Sequence, residues 1–200
     1  MRRVFTKVLA VAALSAAVAG CFNEPEPAYK TVPEGARVYM KDMGLSDLKG
    51  RTFDASRIDY LNLDRNALTN VDEVASLARL KWLRLNGNRL SSLPPLAGLT
   101  SLRRIYLSGN LFTEVPEALK DLPSLTDIDL SGNPVSEIPE WLAKKEGLQF
   151  LSFSRTRITR LPDDLSAWKR LKALQLGDLQ ISPAEMARIR KALPDVAVVF

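Results

Sequence analysis

The chain writes one phrase six times at a nearly fixed interval. The copies are "IDYLNLDRNAL" (58–68), "LKWLRLNGNRL" (80–90), "LRRIYLSGNLF" (102–112), "LTDIDLSGNPV" (125–135), "LQFLSFSRTRI" (148–158) and "LKALQLGDLQI" (171–181). Their starts are 22, 22, 23, 23 and 23 residues apart. A unit of that length cannot bury its own apolar side, so consecutive units must stack on one another. In Ile105-Tyr106-Leu107 the alternation turns Ile105 and Leu107 to one side and Tyr106 to the other. Each copy therefore supplies one short strand.

The segments between the strands are also in register. Leu93-Pro94, Val115-Pro116, Ile138-Pro139 and Leu161-Pro162 recur at the same phase. Leu119, Leu122, Leu142, Leu165 and Trp168 follow at helical spacing. Proline is tolerated at the first turn of a helix, where its missing N–H has no partner. The return side is expected to carry short helical turns. Asn66, Asn88, Asn110 and Asn133 stand where each strand bends into the core. A side-chain amide there can satisfy backbone groups that water does not reach. Thr156 is expected to do part of this in the fifth copy, and Leu179 ends the series. Gly87, Gly109 and Gly132 precede three of the asparagines, where the turn is tight.

The motif L-x-x-L-x-L-x-x-N-x-L and its period resemble the leucine-rich repeat. The resemblance covers the chain from about Val38 onward. It implies an α/β fold, a right-handed leucine-rich-repeat solenoid or horseshoe, with a parallel concave sheet and short helical turns on the convex side. The domain is placed at 35–200. Residues 35–57 form a degenerate first repeat, with Met40, Met43 and Leu45 at the phased positions. Six repeats follow at 58–181, and a capping helix and strand at 182–200. In the cap, Ser182 and Glu185 read as a capping box, with Pro183 at the first helical position.

The inventory excludes much chemistry. There is no histidine, and Cys21 is the only cysteine. A Ser-His-Asp triad, a Cys-His pair and a His/Cys metal site are impossible in such a chain. The expectation is no cofactor, no metal and no enzymatic activity. The net charge is +5, but Arg2, Arg3 and Lys7 fall in the first twenty residues, leaving +2 for the rest. That is an ordinary solvated surface, and no nucleic-acid partner is expected.

The basic start "MRRVFTK" and the thirteen-residue apolar run Val8–Gly20 read as a signal peptide, residues 1–20. "VAGC", Val18–Cys21, resembles the lipobox of bacterial lipoproteins. That resemblance implies a lipidated Cys21 as the mature N-terminus, and Phe22 after it resembles the outer-membrane sorting pattern. Ordinary cleavage after Ala19 is the competing reading. Residues 21–34, with Pro25, Pro27 and Pro33, form a tether. Twelve residues of polyproline II would reach ~37 Å.

Outward strand positions align into columns across the concave face. One contains Tyr60, Trp82, Arg104, Asp127 and Phe150; the next contains Arg84, Tyr106 and Asp129. These eight are the candidate protein-binding residues, with Trp82 as an exposed anchor. Arg104 has a second option, to pair with Asp127 on the neighbouring strand, and Arg84 has the same option with Tyr106 and Asp129. Eight strands ~4.8 Å apart and five residues long offer ~550 Å², less than the ~800 Å² of a standard partner surface. A peptide, a loop or one small domain fits. The leading reading is a monomeric, membrane-tethered protein-binding module of the bacterial envelope, its partner unidentified. A structural or self-associating envelope lipoprotein is the alternative. An enzyme built on Asp127 and Asp129 is the weakest reading, because they stand on an open sheet.

Overall fold

A computed structural model describes residues 36–200. The readings of Cys21, of the signal peptide 1–20 and of the tether 21–34 fall outside those residues. The described residues all belong to one unit, Val32–Phe200. Eight strands lie in one sheet in strict chain order. They are β1 (Ala36–Tyr39), β2 (Ile58–Asn62), β3 (Trp82–Arg84), β4 (Arg104–Tyr106), β5 (Asp127–Asp129), β6 (Phe150–Ser152), β7 (Ala173–Gln175) and β8 (Ala197–Val199). Every pairing is parallel. The register repeats without slippage from β2 to β8; Leu83 faces Ile105, and Ile105 faces Ile128. A one-residue slip would carry each aliphatic residue to the wrong side of the sheet, which is why the phase is so strictly kept.

The core lies between the sheet and the return segments. Leu61, Leu83, Ile105, Ile128, Leu151 and Leu174 form one fully buried row. The return side closes it with 3-10 turns at Asp72–Ser76, Glu117–Leu119 and Ser166–Arg170 and one short helix, α1 (Glu140–Ala143). Pro116 and Pro139 stand immediately before a turn and α1. Pro94 starts no helix, and Pro162 lies four residues ahead of its turn. The proline phase marks the corner out of the core, and the helix is optional. Trp168 is fully buried, and its indole N–H donates to the Leu142 carbonyl of the preceding return segment at 3.0 Å.

The strand-to-return corner is built from side-chain amides. The Asn110 Nδ2 donates to the Leu107 carbonyl of its own repeat and to the Leu85 carbonyl of the previous one, both at 2.9 Å. Its Oδ1 accepts from the Leu90 backbone N–H at 3.1 Å. Asn88 and Asn133 repeat this geometry one unit to either side. Asn66 does the same against the first repeat, donating to Met40 and accepting from Met43 and Leu45. Each amide thus ties two repeats together, and Asn88, Asn110 and Asn133 do so buried from water. Thr156 does not share the task. Its hydroxyl is buried and has no hydrogen-bond partner, because the side chain is one atom too short to reach the carbonyls. Met43, which holds the asparagine phase in the first repeat, is half exposed, and its backbone N–H donates to Asn66.

The residue before each asparagine is left-handed. Gly87, Gly109 and Gly132 have φ of 62°, 65° and 67°, and Asp42, Arg65, Arg155 and Asp178 hold the equivalent place with φ between 55° and 60°. At Gly109 the requirement is conformational and not steric, since an added Cβ would sit 3.7 Å from the nearest atom. Arg65 is secured there by its ion pair with Asp42, with Nε 2.7 Å from Oδ1.

The chain closes on α2 (Pro183–Ala192) and β8. Ser182 Oγ accepts from the Glu185 N–H at 3.2 Å, one half of the capping box. The other half is absent, because the Glu185 carboxylate turns away to the Leu161 N–H at 2.9 Å and to Arg188 at 2.7 Å. Arg188 in turn donates to the carbonyls of Leu161 and Pro162. The pair therefore clasps the cap to the last return segment. The Arg188 guanidinium holds the Glu185 carboxyl below its ordinary value of 4.5. A carboxylate with a depressed folded pKa stabilises above its unfolded value, and that stability is lost as pH falls through the depressed one. Below about pH 4.5 the parent is expected to lose melting temperature faster than Glu185→Gln, measured by thermal melts from pH 7 to pH 3. Parallel curves for the two would show that the clasp does not depend on the carboxylate charge.

Candidate binding face of the sheet

All eight candidate residues fall on β2–β6, on the sheet face turned away from the core. The register sets them side by side: Tyr60 by Trp82, Trp82 by Arg104, Arg104 by Asp127, Asp127 by Phe150. Arg84 lies by Tyr106, and Tyr106 by Asp129. Adjacent strands bring residues more than twenty positions apart into direct ring contact. The Tyr60 and Trp82 rings meet edge to face at 5.2 Å, and Trp82 and Tyr106 at 5.9 Å. Tyr39 extends the row, 5.2 Å from Tyr60.

Trp82 is not the exposed anchor that its position implies. It is 0% exposed, with Tyr60 at 3% and Tyr106 at 4%. The three form a second apolar cluster, separate from the main core. The guanidinium of Arg104 stacks on Trp82 at 4.9 Å, and that of Arg84 on Tyr106 at 5.7 Å. Alternation puts a side chain on a face; whether it stays exposed depends on neighbours that arrive from other repeats. Here the neighbours are large rings and stacking cations, whose contacts are favourable in their own right. Tyr39, at 60% exposed, is the aromatic that stays open.

Two ion pairs lie on the face. Arg104 lies 3.7 Å from Asp127, the pairing that its register allows. Arg84 pairs with Asp64 at 2.7 Å, a partner that the sequence reading did not name. Burial raises the Asp64 carboxyl above its ordinary value, against the opposing pull of Arg84. Burial likewise pushes the Tyr106 phenol well above its usual range, with Asp127 adding to it. The Trp82 indole N–H is buried and has no hydrogen-bond partner among the described residues.

Asp127 and Asp129 both take part in contacts within the scaffold. Asp127 accepts from the Thr126 hydroxyl at 2.6 Å besides facing Arg104, and Asp129 accepts from the Ser131 N–H at 2.9 Å. Each is committed to scaffold contacts. On the opposite side, an open groove of about 610 Å³ is lined by residues such as Glu140, Lys144, Arg160 and Asp163, which form exposed Lys144–Glu140 and Arg160–Asp163 pairs. Among the described residues no three His, Cys, Asp or Glu side chains are grouped to hold a metal ion. No helix among them is long and apolar enough to cross a membrane.

A further polar column, one residue past each second core position, escaped the sequence reading. The Asp64 Oδ1 accepts from the Asn86 N–H at 2.8 Å, and the Asn86 Oδ1 accepts from the Ser108 N–H at 2.9 Å. Ser108 and Ser131 then share a hydrogen bond between hydroxyls at 2.9 Å. The signal was present: Asp, Asn, Ser and Ser recur at one phase, all short side chains that bond nearby backbone.

Residues 78–135 match a family model described as leucine rich repeat. No curated protein matches the chain in sequence. Among solved structures, a leucine-rich repeat protein of Leptospira interrogans is 25% identical over 70% of this chain and 54% of its own, with a TM-score of 0.49. An internalin of Listeria monocytogenes is 21% identical over 72% of this chain and 47% of its own, with a TM-score of 0.55. The chain thus spans about half the length of each. The repeat model, the eight parallel strands and the fold shared with the internalin make the described residues a leucine-rich repeat solenoid of the α/β class.

Proposed function

We propose that this protein is a membrane-tethered binding module of the bacterial envelope, monomeric, which holds a protein or peptide on the concave face of its sheet. A leucine-rich repeat domain is in general a protein-interaction module. The observation that carries the assignment to this face is the cluster of Tyr60, Trp82 and Tyr106 with Arg84 and Arg104. A scaffold has no need of a second apolar cluster outside its core. Buried rings beneath half-buried arginines form a rigid floor, and binding to a rigid floor costs little ordering entropy. The tether rests on the lipobox-like "VAGC" and the lone Cys21, and Phe22 after it favours the outer over the inner membrane if the cell is Gram-negative.

Two variants test this together. Cys21→Ser should move the protein from the membrane fraction to the soluble one on cell fractionation. Phe150→Glu alters a half-buried residue of the face. It should leave the melting temperature within a few degrees of the parent while weakening capture of the envelope partner by ~1–2 kcal/mol. Capture at parental strength would remove this face from the proposal, and retention of Cys21→Ser in the membrane would remove the lipid.

A further inference from the structure

Charge is unevenly divided along the sheet face. At the β1–β4 end stand six cations, Arg37, Lys41, Lys81, Arg84, Arg103 and Arg104, on the face or its rims. The carboxylates among them are Asp59 and Asp64, only 2% and 3% exposed, each beneath a cation, Lys81 or Arg84, and Asp42 beside Lys41, exposed but paired with Arg65. What this end presents outward is therefore positive. Beyond β4 the balance reverses: that end carries Asp127, which pairs with Arg104, and Asp129, against one cation of its own on the rim, Lys172. Between the cations runs the aromatic row that ends in the exposed Tyr39.

Given the concave-face reading above, we infer that the partner presents an acidic, extended peptide segment carrying an aromatic side chain to the β1–β4 end. The cations supply the field and Tyr39 the apolar contact. Four strands ~4.8 Å apart span ~14 Å, which accommodates about four to five extended residues. Complementary charge of this kind sets register and speeds encounter. A nucleic acid is disfavoured, because a continuing phosphate backbone would run onto Asp127 and Asp129.

The test uses the purified full chain and three fluorescein-labelled probes: the peptide EEEFEEE, its lysine counterpart KKKFKKK, and a twelve-nucleotide oligothymidylate. Fluorescence anisotropy should show EEEFEEE binding alone, weakened ~10-fold or more between about 50 and 500 mM salt. The double variant Arg37→Glu/Lys41→Glu, both exposed, should weaken it ~5-fold or more, and so should Arg103→Glu if the double variant melts early. Lys172→Glu, beyond the sign change, should bind as the parent does. Tighter binding of either other probe, or indifference to the charge reversals, overturns the inference. Failure here is distinguishable from failure of the face itself. If Phe150→Glu still weakens capture of the envelope partner while Arg37→Glu/Lys41→Glu leaves it unchanged, the face stands and the acidic partner falls.

Discussion

Trp168→Ala is expected to lower stability by ~3–5 kcal/mol, the range for truncating a fully buried aromatic side chain. Trp168 is 0% exposed and lies in the main core. Its loss removes apolar burial and leaves a cavity. It also removes the hydrogen bond to the Leu142 carbonyl, which joins two adjacent return segments. In a solenoid each repeat contacts only its neighbours, so a broken interface loosens everything beyond it. The C-terminal repeats are therefore expected to lose amide hydrogen-exchange protection before the repeats around β3. Chemical denaturation with exchange mass spectrometry checks both points. Uniform loss of protection along the chain would argue that the stack unfolds as one cooperative block.

Asn110→Leu is expected to be as damaging, although it removes no charge and adds apolar volume. It strands the Leu90 N–H and takes one of two amide donors from each of the Leu85 and Leu107 carbonyls, which keep Asn88 and Asn133. Each buried group left without a partner costs ~1–3 kcal/mol. The two lost carbonyl bonds add ~0.5–1.5 kcal/mol each, so a loss of ~2–5 kcal/mol is expected. Thr156→Val is the matched control, because the Thr156 hydroxyl is buried with nothing to lose. That variant should melt at or above the parent temperature. Similar melting of Asn110→Leu and Thr156→Val would contradict the account of the corner.

The fold was legible because each repeat makes the same demand. A residue such as Ile105 must be aliphatic in every copy or the stack fails, so the period survives in the sequence. The face was legible only as a set of positions. Trp82 shows why. Its alternation names its side of the sheet, but its burial depends on Tyr60 and Tyr106, each more than twenty residues away, and on Arg104 stacking. Arg84 shows the same limit. Strand neighbourhood named Asp129 as an option, but Asp64, one residue past a core leucine in the preceding repeat, pairs with it at 2.7 Å and was not foreseen. In the cap, Ser182 and Glu185 had the spacing of a reciprocal box, but a guanidinium within reach outcompetes a backbone N–H for the carboxylate. Pairwise spacing within one repeat is readable; competition among three or four repeats is not.

The central claim is that the concave face holds the partner. Its most direct measurement is site-specific photocrosslinking in intact cells, with a benzophenone amino acid placed at Tyr39 or Phe150 on the face and at Leu111 or Glu137 off it. Tyr39 and Leu111 are comparably exposed, at 60% and 54%, so accessibility does not bias the comparison. The account predicts one discrete adduct of the same mass from Tyr39 and Phe150, and none of that mass from Leu111 and Glu137. The same adduct from Leu111 and Glu137, with none from the face, would contradict it and move the binding site to the other side of the solenoid.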